Sequence, residues 1–187
     1  MALSIATRGL FFMVFSLIFI KISWKSLHNP RCHGFYRFFA FEGILLLLML
    51  NVTVWFKDPF SLFQILSWSL LLISIFMVLH GVFLLKKMGG QAKRMEIAEN
   101  FAFENTINLV EDGIYEYIRH PMYASLLFLA WGTFFKDPSL YKTIPVVATT
   151  LALYMTARTE ERENLIFFGP SYQNYIQRTR MFVPFVL

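Results

Sequence analysis

Residues 59–85, PFSLFQILSWSLLLISIFMVLHGVFLL, contain no Asp, Glu, Lys or Arg. A helix needs about 20 mainly apolar residues to cross the hydrocarbon core of a bilayer, and this run alone in the sequence clears that length unaided. It reads as a transmembrane helix, and the rest of the chain is read outward from it. Of the 187 residues, 57% are apolar, 18% aromatic and 16% charged, with a mean hydropathy of +0.53. Soluble domains run about 45–50% apolar and about 25% charged. A chain this apolar cannot cover itself with polar surface in water, which leaves a bilayer as its solvent. The composition also excludes a disordered chain and a collagen, and the length is that of one domain. Cys32 is the single cysteine, which excludes a disulfide framework and any Cys-rich zinc site, so no metal is expected. It reads as an incidental thiol.

The other apolar runs need charged flanks. Residues 9–20 extend through Lys21, free to snorkel, to Trp24 at headgroup level. The stretch lacks a small-residue cleavage site and reads as a retained helix rather than a signal peptide. Residues 35–56 carry Arg37 near the start and Glu42 further in. Residues 121–135 and 143–157 are each short, and a polar, Pro-containing turn from Lys136 to Lys142 joins them into a helical hairpin. The fold class expected is therefore all-α: a multi-pass integral membrane bundle of about five transmembrane helices with a C-terminal cytosolic amphipathic tail. It forms a single membrane domain over 1–187, with three helices in 1–85, and a functional loop, hairpin and tail in 86–187.

The net charge of +5 and pI of about 9.4 do not point to nucleic acid, because the basic residues sit between apolar blocks rather than along one stripe. They report topology instead. Lys21, Lys25, Arg31 and Arg37, then Lys86, Lys87, Lys93, Arg94 and Arg119, then Arg158, Arg162, Arg178 and Arg180 fall on one side. Arg8, Lys57, Lys136 and Lys142 fall on the other. This asymmetry predicts a cytosolic long loop and C-terminus, with the N-terminus outside. Asn51-Val52-Thr53 matches a glycosylation sequon but lies inside an apolar run, where it reads as chance.

Polar sequence concentrates in 86–120 and 158–187, which bracket the hairpin and converge at one membrane face. In the first cluster Asp112-Gly113 is a turn signal, and Pro121 suits the first position of a helix. Arg119 and His120 then sit beside the free N–H groups of that helix start, which favour anions. In the second cluster Gly169-Pro170 stops a helix, and a short helix is expected after it. Leu165, Phe168 and Tyr172 recur at interfacial spacing. Taken one at a time, Arg119 reads as an interface anchor, His120 as a cap, and the acids Glu160 and Glu161 as a solvated face with Arg158 and Arg162. Together beside a membrane helix end they read as a site, since carboxylates are costly there without partners.

Arg119-His120-Pro121-x-Tyr123, preceded by Leu109-Val110-x-x-Gly113-Ile114-Tyr115, resembles the isoprenylcysteine carboxyl methyltransferase family, which is related to phospholipid N-methyltransferases. Arg158-x-Glu160-Glu161 with Phe168-Gly169, Tyr172, Tyr175 and Phe182-Val183-Pro184 is similar to that family's C-terminal signature. The resemblance covers roughly 100–185. It departs at Ser125, where a Gly is usual, and at Asn164, where a Leu is usual. What it implies is S-adenosyl-L-methionine-dependent methyl transfer at the membrane surface, with Leu109, Val110, Tyr115, Arg119, His120 and Glu160 holding the cofactor.

The residue chemistry fits those roles. Glu160 accepts hydrogen bonds from a ribose or ammonium, Tyr115 packs on the adenine or sulfonium region, and Arg119 meets the methionyl carboxylate. The catalytic candidates are Arg158, to orient an acceptor carboxylate, and Glu161 (or His120), to take a proton from an amine. No Gly-x-Gly-x-x-Gly loop supports a Rossmann-type enzyme.

The partner expected is a lipidic, membrane-embedded acceptor carrying a carboxylate, with no nucleic acid and no metal. The location is a cell membrane in a prokaryote or the endoplasmic reticulum in a eukaryote, with the active site cytosolic. N-methylation of a phospholipid amine is the alternative within the class. A sterol-type reductase using NADPH ranks lower, because a dinucleotide needs more anion contacts than Arg119 and Arg158 offer. A non-enzymatic scaffold or transport subunit, supported only by His80 and Glu42 as intramembrane polar groups, leaves both polar clusters unexplained.

Overall fold

The computed structural model describes residues 3–90 and 106–184. Lys93 and Arg94 of the basic loop lie outside them. The regular elements of the described residues are all helices, joined by turns and loops, and an isolated parallel bridge pairs Ile118 with Arg180. The helices are α1 (Ile5–Ile22), the short α2 (Trp24–Leu27), α3 (His33–Asn51), α4 (Leu62–Met88), α5 (Pro121–Phe134), α6 (Leu140–Phe168) and α7 (Pro170–Arg178). Three stretches, Ile5–Ile22, His33–Val54 and Leu62–Met88, are long and apolar enough to cross a membrane, as expected of a membrane helical protein. Starts are capped locally: the Ser4 and Ser61 hydroxyls accept from the amides of Thr7 and Gln64, satisfying donors that a helix start leaves free.

α3 packs along α6 and α4 along α5, and α5 joins the two pairs. Apolar side chains gain little by leaving lipid for each other, so membrane helices associate through small residues and interhelical hydrogen bonds. Both are present. A Cβ on Gly43 of α3 would collide with Thr149 of α6, and one on Gly132 of α5 would meet Leu71 of α4 at 3.0 Å. The Ser67 hydroxyl donates to Gly132 O at 2.6 Å and that of Ser74 to Ser125 O at 2.7 Å. α1 buries no residue and is tied to α3 by the Ser16 hydroxyl, which donates to the Glu42 carboxylate at 2.6 Å. Glu42 is thus an interhelical tether. His80 stacks on Phe76 of its own helix.

Two features differ from the sequence expectation. The hairpin's second arm does not end near residue 157. α6 runs as one helix of 29 residues through Pro145 to Phe168, roughly 43 Å at 1.5 Å per residue, longer than a hydrocarbon core of about 30 Å. The acidic cluster is the continuation of the hairpin's second helix rather than a separate segment. Gly169, with φ +59°, takes the left-handed turn that ends it, and Pro170 opens α7.

The second difference is at the hairpin turn, where Lys136 and Lys142 point inward. The Lys142 ammonium donates to Asn51 Oδ1 at 2.9 Å and to Asp137 at 2.6 Å. That of Lys136 donates to Gln64 Oε1 at 3.0 Å and lies 3.5 Å from the centre of the Trp68 ring. Both lysines are buried and close the turn end of the bundle through cation–π and amide contacts.

Candidate active site

The polar end is built by a chain segment that returns to the helix tips. Gly113, at φ +63°, turns the chain where a Cβ would press on Leu84, and a single 3-10 turn over Gly113–Glu116 follows. Tyr115 is buried against α4, and its carbonyl accepts from the Tyr175 hydroxyl of α7 at 2.7 Å. The backbone then runs beside the C-terminal strap. The Arg119 amide donates to Arg180 O at 2.8 Å, that of His120 to Met181 O at 3.1 Å, and that of Arg180 to Tyr117 O at 3.0 Å. His120 occupies the N-cap position of α5, with Pro121 at its first turn, as the sequence predicts.

These elements frame an open cleft at the polar end of the bundle. Leu109, Val110, Tyr115, Arg119, His120 and Glu160 all line it. It is completed by residues not expected there: Leu85 and Thr106, for which the sequence carries no signal, and Tyr123, Asn164, Phe168, Tyr172 and Tyr175. The tyrosines at 172 and 175, spaced one helical turn apart after Gly169-Pro170, were the legible sign that α7 turns an aromatic face inward.

Polar groups at the cleft differ in how fully they are engaged. The Arg119 guanidinium donates from Nε to Glu161 Oε1 at 2.7 Å and from Nη1 to the carbonyls of Ile176 and Thr179 at the end of α7, where the helix dipole favours a cation. Among the described residues Nη2 makes no hydrogen bond, so it is the guanidinium atom open to a ligand. The His120 ring stacks on Tyr123 and is almost fully buried; Nδ1 lies 3.8 Å from Glu160 Oε2 and Nε2 3.6 Å from Glu161 Oε1. Both gaps exceed a hydrogen bond, and Nε2 is a buried atom with no bond. Nε2 thus faces Glu161, and Nδ1 faces Glu160 in the cleft lining.

Glu161 and Arg158, the two catalytic candidates, are absent from the cleft lining. Glu161 is buried at the back of the cleft, held between Arg119, His120 and Arg158. Burial opposes its ionisation, but the close approach of the His120 imidazole, and after it the charge and hydrogen bond of the Arg119 guanidinium, prevail and hold its carboxyl below the ordinary 4.5. Arg158 is half exposed and reaches Glu161 at 3.5 Å. Burial, with Glu160 nearby, pushes the Tyr172 phenol up against a hydrogen bond from Asn164, so Tyr172 remains a neutral hydroxyl in the cleft. One contact had no sequence signal: Glu163 accepts from the His33 amide at 3.0 Å and meets its Nδ1 at 2.6 Å, capping α3 and fixing the acidic end of α6 to it. Among the described residues no group of three His, Cys, Asp or Glu could hold a metal.

A helical membrane bundle with a polar, aromatic-lined cleft at one end defines a small class, and sequence comparison names it. The chain belongs to the phospholipid methyltransferase family, whose profile matches residues 62–166. It is similar to the methanethiol S-methyltransferase of a Pseudomonas species, 28% identical over 119 residues, covering 64% of this chain and 43% of that protein. It is also similar to that of Crocosphaera subtropica, 23% identical over 145 residues, covering 73% and 53%. The protein-S-isoprenylcysteine O-methyltransferase of Schizosaccharomyces pombe is 34% identical over 80 residues, covering 42% and 34%. The chain thus spans about half the length, or less, of the curated relatives it matches. No solved structure matches.

Proposed function

We propose that the protein is an S-adenosylmethionine-dependent membrane methyltransferase whose cofactor lies in the cleft between α4, α5, α6 and α7. The observation that carries this is the convergence of Tyr115, Arg119, His120 and Glu160 on one cleft. Bound there, the cofactor supplies a methyl group already activated on a sulfonium, so the protein's work is proximity and in-line orientation. Arg119 would meet the methionyl carboxylate, Glu160 would accept from the ribose or ammonium group, His120 would wall the cleft beside them, and the tyrosines would present aromatic faces to the cation. Calorimetry of the purified protein with S-adenosylhomocysteine and, separately, with NADPH tests the reading. Binding of the first alone is expected; binding of NADPH alone would overturn it in favour of a reductase.

The same proposal includes the topology: one membrane domain of five spans, three before residue 86 and the α5–α6 hairpin after it, with the N-terminus outside and the cleft cytosolic. The basic asymmetry of the sequence supports it, and the length of α6 lets one helix span and still carry Glu160 and Glu161 beyond the bilayer. Cysteine labelling at Arg8, Lys57 and Leu187 is expected to find the first two outside and the last inside. A cytosolic residue 57 would refute the span count.

For the acceptor we propose a lipidic carboxylate, oriented by the half-exposed Arg158. The relatives' names motivate a thiol as a second reading and the family's a phospholipid amine. Ionisation separates them. A carboxyl with a pKa near about 3.5–4 stays ionised at pH 6, whereas an amine or thiol with a pKa of about 8–10 loses its reactive form about tenfold per pH unit below that value. With saturating cofactor the rate is expected to stay level as pH falls from about 8 to about 6. Arg158→Lys, which keeps the charge and loses the fork, is expected to weaken acceptor use while sparing cofactor binding. A steep loss of rate together with an indifferent Arg158→Lys variant would sink the carboxylate reading.

A further inference from the structure

A second concavity lies on the far side of Arg119. It is an open groove between α5, α6, the end of α7 and the C-terminal strap, walled by Leu127, Leu151, Tyr154, Met181 and Phe182, with no acidic side chain. Arg119 and Arg180 bring the positive charge to its lining, with Thr150, Ile176 and Thr179 between them and the apolar wall. Leu151 and Tyr154 are 59% and 44% exposed, so the groove is open along its length to whatever surrounds the bundle. Leu127 sits roughly 9 Å further along α5 than Pro121, while both arginines belong to the polar end. The groove therefore runs from a cationic mouth into an apolar slot, at the depth where a leaflet changes from headgroups to chains. Among the described residues the exposed Arg180 side chain has neither an ion pair nor a hydrogen bond, whereas Arg178 beside it is paired with Glu111.

We infer that this groove is a binding site for an anionic phospholipid of the leaflet that faces the cleft, with an acyl chain against Leu127, Leu151 and Tyr154 and the phosphate at Arg180. Charge and shape select that occupant. A free cation beside an anionic leaflet attracts acidic headgroups, and an open apolar slot at chain depth takes a single chain. Arg119 argues that the lipid is bound rather than reacted. Its side chain lines both the groove and the cofactor cleft, pinned by Glu161 and the α7 carbonyls, and so stands as a partition between them. The lipid would brace the strap whose carbonyls hold the amides of Arg119 and His120. The inference takes its membrane orientation from the proposed topology, but its test does not depend on methyl transfer.

Native mass spectrometry of the full chain, released from detergent containing equal phosphatidylglycerol and phosphatidylcholine, reads the site directly. Wild type is expected to retain phosphatidylglycerol in preference. Arg180→Gln should reduce that preference roughly fivefold, the worth of one surface cation near lipid. Leu151→Trp, at a position already exposed, should fill the slot and lower retention of both lipids. Lys25→Gln, distant from the groove, should change nothing. Equal retention of the two lipids by wild type, or a preference untouched by both Arg180→Gln and Leu151→Trp, overturns the inference. Displacement of the bound lipid by an isoprenylated cysteine would assign the groove to the acceptor and also overturn it. Binding of S-adenosylhomocysteine by the same samples verifies that the variants are folded and separates this outcome from failure of the cofactor site.

Discussion

Glu161→Ala is expected to be the most damaging single change at the polar end, lowering stability and cofactor affinity together. The carboxylate is buried and accepts from Arg119 Nε, with the His120 ring and Arg158 close by. Removing it leaves the Arg119 guanidinium buried without a counter-charge. Breaking such a buried pair from one side costs about 3–5 kcal/mol. Arg119→Ala should be of similar severity, and Glu161→Gln milder, because the amide still offers one acceptor oxygen.

The contribution also carries a pH signature. The folded protein holds the Glu161 carboxyl below its ordinary value of 4.5, so its stabilisation is complete above that pH and is lost as pH falls through the folded value. Thermal unfolding in detergent at several pH values, with S-adenosylhomocysteine titrations, measures both effects. The distinction from a general base is sharp. A base would give a Glu161→Gln variant with normal stability and cofactor affinity but no turnover, whereas a positioning group gives reduced affinity. A folded Glu161→Ala variant with unchanged stability and affinity would refute the positioning role.

His120→Ala and Glu160→Gln should behave differently, losing cofactor affinity while remaining folded. His120 Nε2 has no hydrogen bond to lose, and Glu160 is a quarter exposed, with its carboxylate 3.8 Å from the imidazole. Glu160 carries little packing, the His120 ring packs on Tyr123 and Phe182 without holding a hydrogen bond, and both residues line the cleft. A hydrogen bond to a charged group is worth about 1.5–3 kcal/mol, which corresponds to a loss of roughly ten- to a hundredfold in affinity for S-adenosylhomocysteine. Calorimetry on the purified variants gives the number. If both bind normally while folded, these two residues leave the proposed site.

Much of the protein was legible in one dimension because its solvent is a bilayer. Spans are long, apolar and interrupted by charge, so residues 59–85 and the flanks of the other helices stand out with no tertiary information. Local chemistry was equally readable. Gly113 turns the chain, Pro121 opens α5, and Gly169-Pro170 ends α6 and begins α7, each dictated by backbone preference at that position. The family resemblance points to Leu109, Val110, Tyr115, Arg119, His120 and Glu160, and all six meet at one cleft.

What the tertiary structure decided is which way each polar group faces, since that depends on neighbours far along the chain. In the linear reading Lys136 and Lys142 count as charges outside the bundle; Trp68, Gln64 and Asn51, each from another helix or its end, draw them inside. Glu160, Glu161 and Glu163 look alike in sequence. The roughly 100° turn per residue of a helix aims the first at the cleft, the second at Arg119 and the third at His33, 130 residues away. A carboxylate's role is set by the cation or cavity opposite it, and only the fold brings that opposite group into reach.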